Sequence, residues 1–76
     1  MKYKVYALCY DRKTGEQVRH SEAGFEPSME EINTEENELF DGCVSILDIK
    51  ERYERFWNRL NDYSDLVFVT KIEPVE

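Results

Sequence analysis

The sequence predicts an α+β domain: a three-stranded antiparallel sheet of order 2-1-3 with one long amphipathic helix on one face. Three observations carry this. One helical periodicity runs over residues 45–63. Two runs rich in Val, Tyr, Phe and Ile lie at 2–10 and 65–73, the composition of strands. After the first run comes a turn, Asp11 to Glu16, and a polar return that would make a hairpin. The predicted order is ββ(short α)αβ in a single domain, consistent with a chain of 76 residues.

The first strand, KYKVYALCY, is apolar on both sides, which suits a central position. Tyr3, Val5, Ala7 and Cys9 form one face. Lys2, Lys4, Tyr6, Leu8 and Tyr10 form the other. The smaller side chains of the first face suit close packing under a helix. The turn has Asp11 to bond back to the backbone and Gly15 to take positive φ. The return, about 17–25, has only Val18 and Phe25 as large apolar residues, as expected at an edge. The hairpin is thus expected over 2–25.

An acidic connection spans 26–44. Within it, Ser28 and Glu31 stand at capping-box spacing, which predicts a short helix with Met29 and Ile32 as its apolar residues. A second turn from Thr34 would carry Leu39 and Phe40 into the core, and Asp41-Gly42 is a turn signal.

The helix over 45–63 has a stripe of Ile46, Ile49, Tyr53, Phe56, Leu60 and Tyr63, widened by Leu47 and Trp57. That breadth favours packing on a core over a coiled-coil seam. Ser45 is placed to cap it, with Asp48 near the positive end of its dipole. Asp48–Arg52 and Glu51–Arg55 are i,i+4 pairs in the favourable order. The last strand, 65–73, is followed by Pro74, expected to stop it. After the helix, this strand can pair with the free side of the first, leaving neighbours antiparallel.

Charge is the main lead to function. The net charge is −7, and it is uneven. Residues 20–49 hold nine acidic side chains and no Lys or Arg, whereas residues 1–19 carry a net +3. Such a balance argues against direct binding to nucleic acid, which needs clustered basic groups, and against anionic membrane surfaces. It fits a solvated connection that keeps a small domain soluble. It equally fits a docking surface for a basic protein or nucleoprotein. The candidate partner-binding residues are Glu26, Glu30, Glu31, Glu35, Glu36, Glu38 and Asp41. The basic stripe Arg52, Arg55 and Arg59 is interleaved with Glu51 and Glu54, which are expected to neutralise it. A second candidate interface is the aromatic side of the first strand, Tyr6, Leu8 and Tyr10, suited to a homodimer or partner if the helix covers the opposite face. The acidic connection folding over this face, or the helix itself lying on it, are the alternatives.

Chemistry-bearing motifs are absent. Three glycines make no phosphate loop, and neither GxSxG nor HExxH occurs. Cys9, Cys43 and His20 form no zinc spacing and read as two buried thiols and a surface histidine. Glu35, Glu36, Glu38 and Asp41 lack EF-hand spacing. The chain is therefore expected to be non-enzymatic, to hold no cofactor or metal, and, lacking a leader-like or membrane-spanning run, to be cytoplasmic. In kind, though through no shared motif, this profile resembles the small acidic proteins of phages and mobile elements. Anti-CRISPR and other anti-defence inhibitors are among them, and some are nucleic-acid mimics. The resemblance implies an inhibitory binding protein. A self-associating structural or regulatory module is the alternative.

Overall fold

A computed structural model describes residues 1–20, 23–60 and 65–75. The chain forms β1 (Lys2–Asp11), β2 (Ser28–Asn33), a 3₁₀ turn (Glu38–Phe40), α1 (Ile46–Leu60) and β3 (Asp65–Val75). The sheet is three-stranded in the order β2-β1-β3. Both pairings are antiparallel. The expected architecture is the observed one, with the twice-apolar first strand in the centre.

The helix lies on the face of β1 that carries the small residues. Val5 and Ala7 are buried with Ile32 of β2, Val67 and Val69 of β3, Ile49 and Tyr53 of α1, and Phe40 of the 3₁₀ turn. Small side chains on the sheet let α1 approach closely. Burying these apolar groups is the main favourable term in a domain of this size.

β3 reaches the core by way of a bulge. Tyr6 pairs with Lys71 and Ala7 with Val69, so Thr70 is an extra residue between them. Its hydroxyl donates to the Tyr6 carbonyl at 3.3 Å. The bulge shifts the inward positions from Val67 and Val69 to Ile72, leaving Lys71 on the outer face, where its ammonium stands 5.6 Å from the Tyr6 ring centre. β3 also continues past Pro74 to Val75. Pro74 does not stop it because β3 is an edge strand, and a residue whose N–H points away from the sheet loses no ladder bond.

The second strand differs from expectation. The return after β1 begins as a hairpin: Asp11 N–H donates to the Glu16 carbonyl at 2.8 Å and Val18 N–H to that of Cys9 at 2.8 Å. Asp11 also accepts from the N–H groups of Lys13 and Thr14, at 2.7 and 3.0 Å, and these bonds hold its carboxyl below the usual range. Pairing then lapses. Among the described residues of this stretch, isolated bridges occur at Gln17 and between His20 and Gly24, and Gln17 spans the excursion by donating to the Phe25 carbonyl at 2.6 Å. Val18 alone cannot anchor this stretch, and Phe25 remains exposed.

Pairing resumes at Ser28, where the capping-box spacing predicted a short helix. Ser28–Asn33 is instead a strand, and the Ser28 hydroxyl donates to the Ala7 carbonyl at 3.2 Å. A helix with two apolar residues is too short to sustain itself, since its nucleus is costly. As a strand, the segment gains backbone bonds to β1 and buries Ile32 opposite Tyr3. The short helical element comes later, as the 3₁₀ turn that brings Phe40 into the core. Asp41-Gly42 then turns the chain, with Gly42 at φ +82°.

α1 begins where expected. Asp48 N–H donates to Ser45 Oγ at 3.2 Å, and Asp48 Oδ2 accepts from Ser45 N–H at 3.2 Å and Val44 N–H at 2.9 Å. These bonds hold the Asp48 carboxyl below its ordinary value. The buried line is narrower than the predicted stripe: Ile49 and Tyr53 are buried, with Trp57 packed partly against them. Leu47 lies on the solvent side, 71% exposed, and Ile46, Phe56 and Leu60 are also exposed. Tyr63 and the expected last turn of the helix fall outside the described residues.

Candidate functional site

The acidic segment forms the β2 side of the molecule and the connection to α1. All seven candidate carboxylates, Glu26, Glu30, Glu31, Glu35, Glu36, Glu38 and Asp41, are exposed. Among the described residues, none of them forms an ion pair with a Lys or Arg. Glu35 alone meets a cation, the α-amino group of Met1 at 3.1 Å.

Strand geometry divides Glu30 from Glu31. Successive side chains point to opposite faces of a sheet. Glu30 shares the helix side with Val5, its cross-strand partner, and accepts a hydrogen bond from the Tyr53 hydroxyl at 3.1 Å. Burial, and then the charge of Glu30, push the Tyr53 hydroxyl well above its ordinary 10.0, so it stays a neutral donor. Glu31 lies on the other face, opposite Lys4. Glu26 borders a hollow on that same face with Tyr6, Pro27 and Lys71. Glu35 and Glu36 are in the turn after β2, where Asn33 accepts from the N–H groups of both. Glu38 opens the 3₁₀ turn beside Arg52, Arg55 and Arg59. Thus Glu30, Glu31 and Glu35 follow one sheet edge, while Glu36, Glu38 and Asp41 curl towards the helix.

The arginine stripe is used differently from expectation. Arg52 Nη1 donates to the carbonyls of Leu39 and Asp41, at 3.1 and 2.9 Å, and so ties the connection to α1. Neither predicted i,i+4 pair forms an ion pair. The helix pair is Lys50–Glu54, at 3.0 Å. Glu54 turns away from the arginines and accepts the Val69 N–H at 2.8 Å. One turn on, Asn58 Oδ1 accepts the Val67 N–H at 2.6 Å and its Nδ2 donates to the Val67 carbonyl at 3.5 Å. Neither role is visible in the sequence, where Glu54 reads as neutralising the arginine stripe.

Among the described residues, no helix lies over the sheet face opposite α1. Tyr6, Leu8 and Tyr10 lie there, each partly buried, with Met29 of β2 and Leu66 and Phe68 of β3. Tyr10 and Phe68 meet edge to face at 5.6 Å, yet Phe68 is 45% exposed and Met29 51%. Lys71 and Glu73 pair at one end of this face. Phe68, central to the patch, lies in the predicted last strand, but its orientation follows only from the register.

Other groups offer little chemistry. Burial, and then the charge of Asp65, raise the Cys9 thiol above its ordinary value, disfavouring the nucleophilic thiolate. Both cysteines are free thiols packed partly against the core. Among the described residues, no three His, Cys, Asp or Glu side chains converge on a point where an ion could be held. No described helix is long and apolar enough to cross a membrane. The chain matches no protein-family model, no curated protein and no solved structure.

Proposed function

We propose that this chain is a non-enzymatic binding protein whose acidic segment docks on a basic surface of a larger protein or nucleoprotein. It would act as an inhibitor by occupying ground where nucleic acid would otherwise lie. The observation that carries this reading is the exposure of seven carboxylates that no Lys or Arg of the described chain neutralises. Uncompensated charge of one sign steers encounter with the opposite sign and rejects like-charged partners. Ion pairs elsewhere, partly buried Lys50–Glu54 and the more exposed Lys71–Glu73, show the charge compensation that this segment lacks.

The test begins with a partner captured on the immobilised chain. Affinity for it is expected to fall steeply with added salt. Reversal of Glu30, Glu31, Glu35 and Glu36 to Lys should cost roughly tenfold or more, about 1.4 kcal/mol or above. Nucleic acid should compete with the chain for that partner. Affinity unmoved by both salt and charge reversal would reject the reading.

The uncovered sheet face favours a second reading, a self-associating structural or regulatory module. Two copies could bury Tyr6, Leu8, Tyr10 and Phe68 against each other, with Lys71 and Glu73 at the rim. A concentration-dependent dimer that Leu8→Glu abolishes would support it. A monomer at millimolar concentration would not.

A further inference from the structure

The two outer edges of the sheet are finished in different ways. In an antiparallel strand, alternate residues turn their N–H and C=O groups towards the neighbour and away from it. The bonds from Thr34 N–H to the Met1 carbonyl and from Val18 N–H to that of Cys9 show that the odd residues of β1 face β2. The even ones therefore face β3. With the register, this sends Asp65, Val67, Val69, Ile72 and Pro74 outward on β3, and Met29, Glu31 and Asn33 outward on β2.

The β3 edge is closed from Asp65 to Val69 and again at Pro74, with Ile72 as the gap between them. Arg12 Nε donates to the Asp65 carbonyl at 3.2 Å. Asn58 meets both backbone groups of Val67, Glu54 takes the Val69 N–H, and Pro74 has no N–H to offer. On β2, Asn33 gives its carbonyl to Glu36 N–H at 3.2 Å. Met29 and Glu31 are exposed, and among the described residues no hydrogen bond reaches their outward backbone groups.

We propose that the β2 edge accepts a fourth strand from a partner protein: an extended segment with Lys or Arg where it passes Glu30 and Glu31. This rests on the acidic docking reading above and names its mode, strand addition. Backbone bonds to Met29 and Glu31 supply pairing, and the carboxylates select basic side chains. Directly opposed residues share a face of the sheet. The residue opposite Glu30 therefore enters the cleft of about 140 Å³ behind the edge. There a Lys or Arg stem lies against Leu39 and Phe56, with its charged head at Glu30. Its neighbour emerges on the other face, beside Glu31 and Met29. A second copy of this chain is the wrong occupant: symmetric pairing would bring the acidic edge strands together, and like charges facing across strands are destabilising.

The probe is the acetylated peptide Thr-Val-Lys-Arg-Val-Thr, titrated into the full chain with amide hydrogen exchange read by NMR. Its partner probe is the same peptide N-methylated at alternate residues, equal in charge but unable to form a ladder. The first peptide should slow exchange at Met29 and Glu31 and leave Val67 and Val69 unchanged. The methylated peptide should bind roughly tenfold more weakly or worse. Glu31→Pro, which removes an outward N–H as Pro74 does on the other edge, should lose affinity to a similar extent. Equal binding of both peptides, weakened by salt, would overturn strand addition while leaving acidic docking intact. Binding of neither at low salt would overturn both. Protection of Met29 and Glu31 that grows with protein concentration alone would assign the edge to a second copy and overturn the proposed occupant.

Discussion

β2 and β3 flank the same central strand, yet among the described residues one edge is sealed by side chains from Asp65 to Val69 and the other is left with its backbone open at Met29 and Glu31. On β3 the helix does the sealing. Glu54 and Asn58, one turn apart on α1, reach the N–H groups of Val69 and Val67, and the Asn58 amide presents an acceptor and a donor as another strand would. Lys50 holds Glu54 in place from one turn back. Among the described residues no such cover reaches Met29 or Glu31, and acidic side chains guard the edge there. Open edges invite strand pairing, and proteins either block them or charge them. This chain does both, one on each side. A blocked edge admits nothing, whereas a charged edge excludes like charge and still admits its opposite.

The largest expected effect comes from detaching the open edge. Ile32→Ala removes the only buried side chain of β2, at a cost of about 2–5 kcal/mol. Chemical denaturation should show a large drop in midpoint, with loss of the Tyr53–Glu30 contact. Next is the closed edge. Asn58→Leu leaves both Val67 backbone groups without their side-chain partner, for roughly 1–3 kcal/mol. Amide exchange at Val67 should then rise towards that of Met29, and light scattering should report association through the opened strand. Ser45→Ala weakens the start of the helix that carries the seal, by about 1 kcal/mol in a thermal melt. Glu31→Pro should be the mildest, within roughly 0.5 kcal/mol in stability, because the lost N–H points outward. A large destabilisation there would mean that Glu31 faces β1 and that the assignment of the two edges is inverted.

Acid offers a further probe of the helix start. The Asp48 carboxyl is held below its ordinary 3.8 by N–H donors from Val44 and Ser45. Its contribution is therefore present above that value and is lost as pH falls through the lower folded value. Asp48→Asn should flatten the stability profile below about pH 4 relative to the parent chain.

The readability of the sequence follows the same division between the edges. β1, α1 and β3 announce themselves by apolar period, and their topology follows from length and connection. β2 does not, since Ser28-Met29-Glu30-Glu31 has the local form of a helix start. What makes it a strand is the unpaired side of β1 and a pocket for Ile32, both tertiary. The acidic site was visible as composition, and all seven carboxylates proved exposed. Its arrangement was not, because only the register shows that Glu30 and Glu31 part to opposite faces. The seal on β3 was equally hidden: Glu54 beside Lys50 and Arg55 looks like any solvated helix charge.

The extra residue Thr70 has a consequence for how this chain can vary over time. It keeps two inward stretches of β3 in phase although two residues, Thr70 and Lys71, rather than one lie between Val69 and Ile72. Removing that single codon would leave a strand that still pairs along its length. Lys71 would then follow Val69 directly, keeping Tyr6 as its partner and its place on the outer face, and Ile72 would stay inward opposite Val5. Lineages of this protein should therefore lose a residue at position 70 more readily than elsewhere along β3.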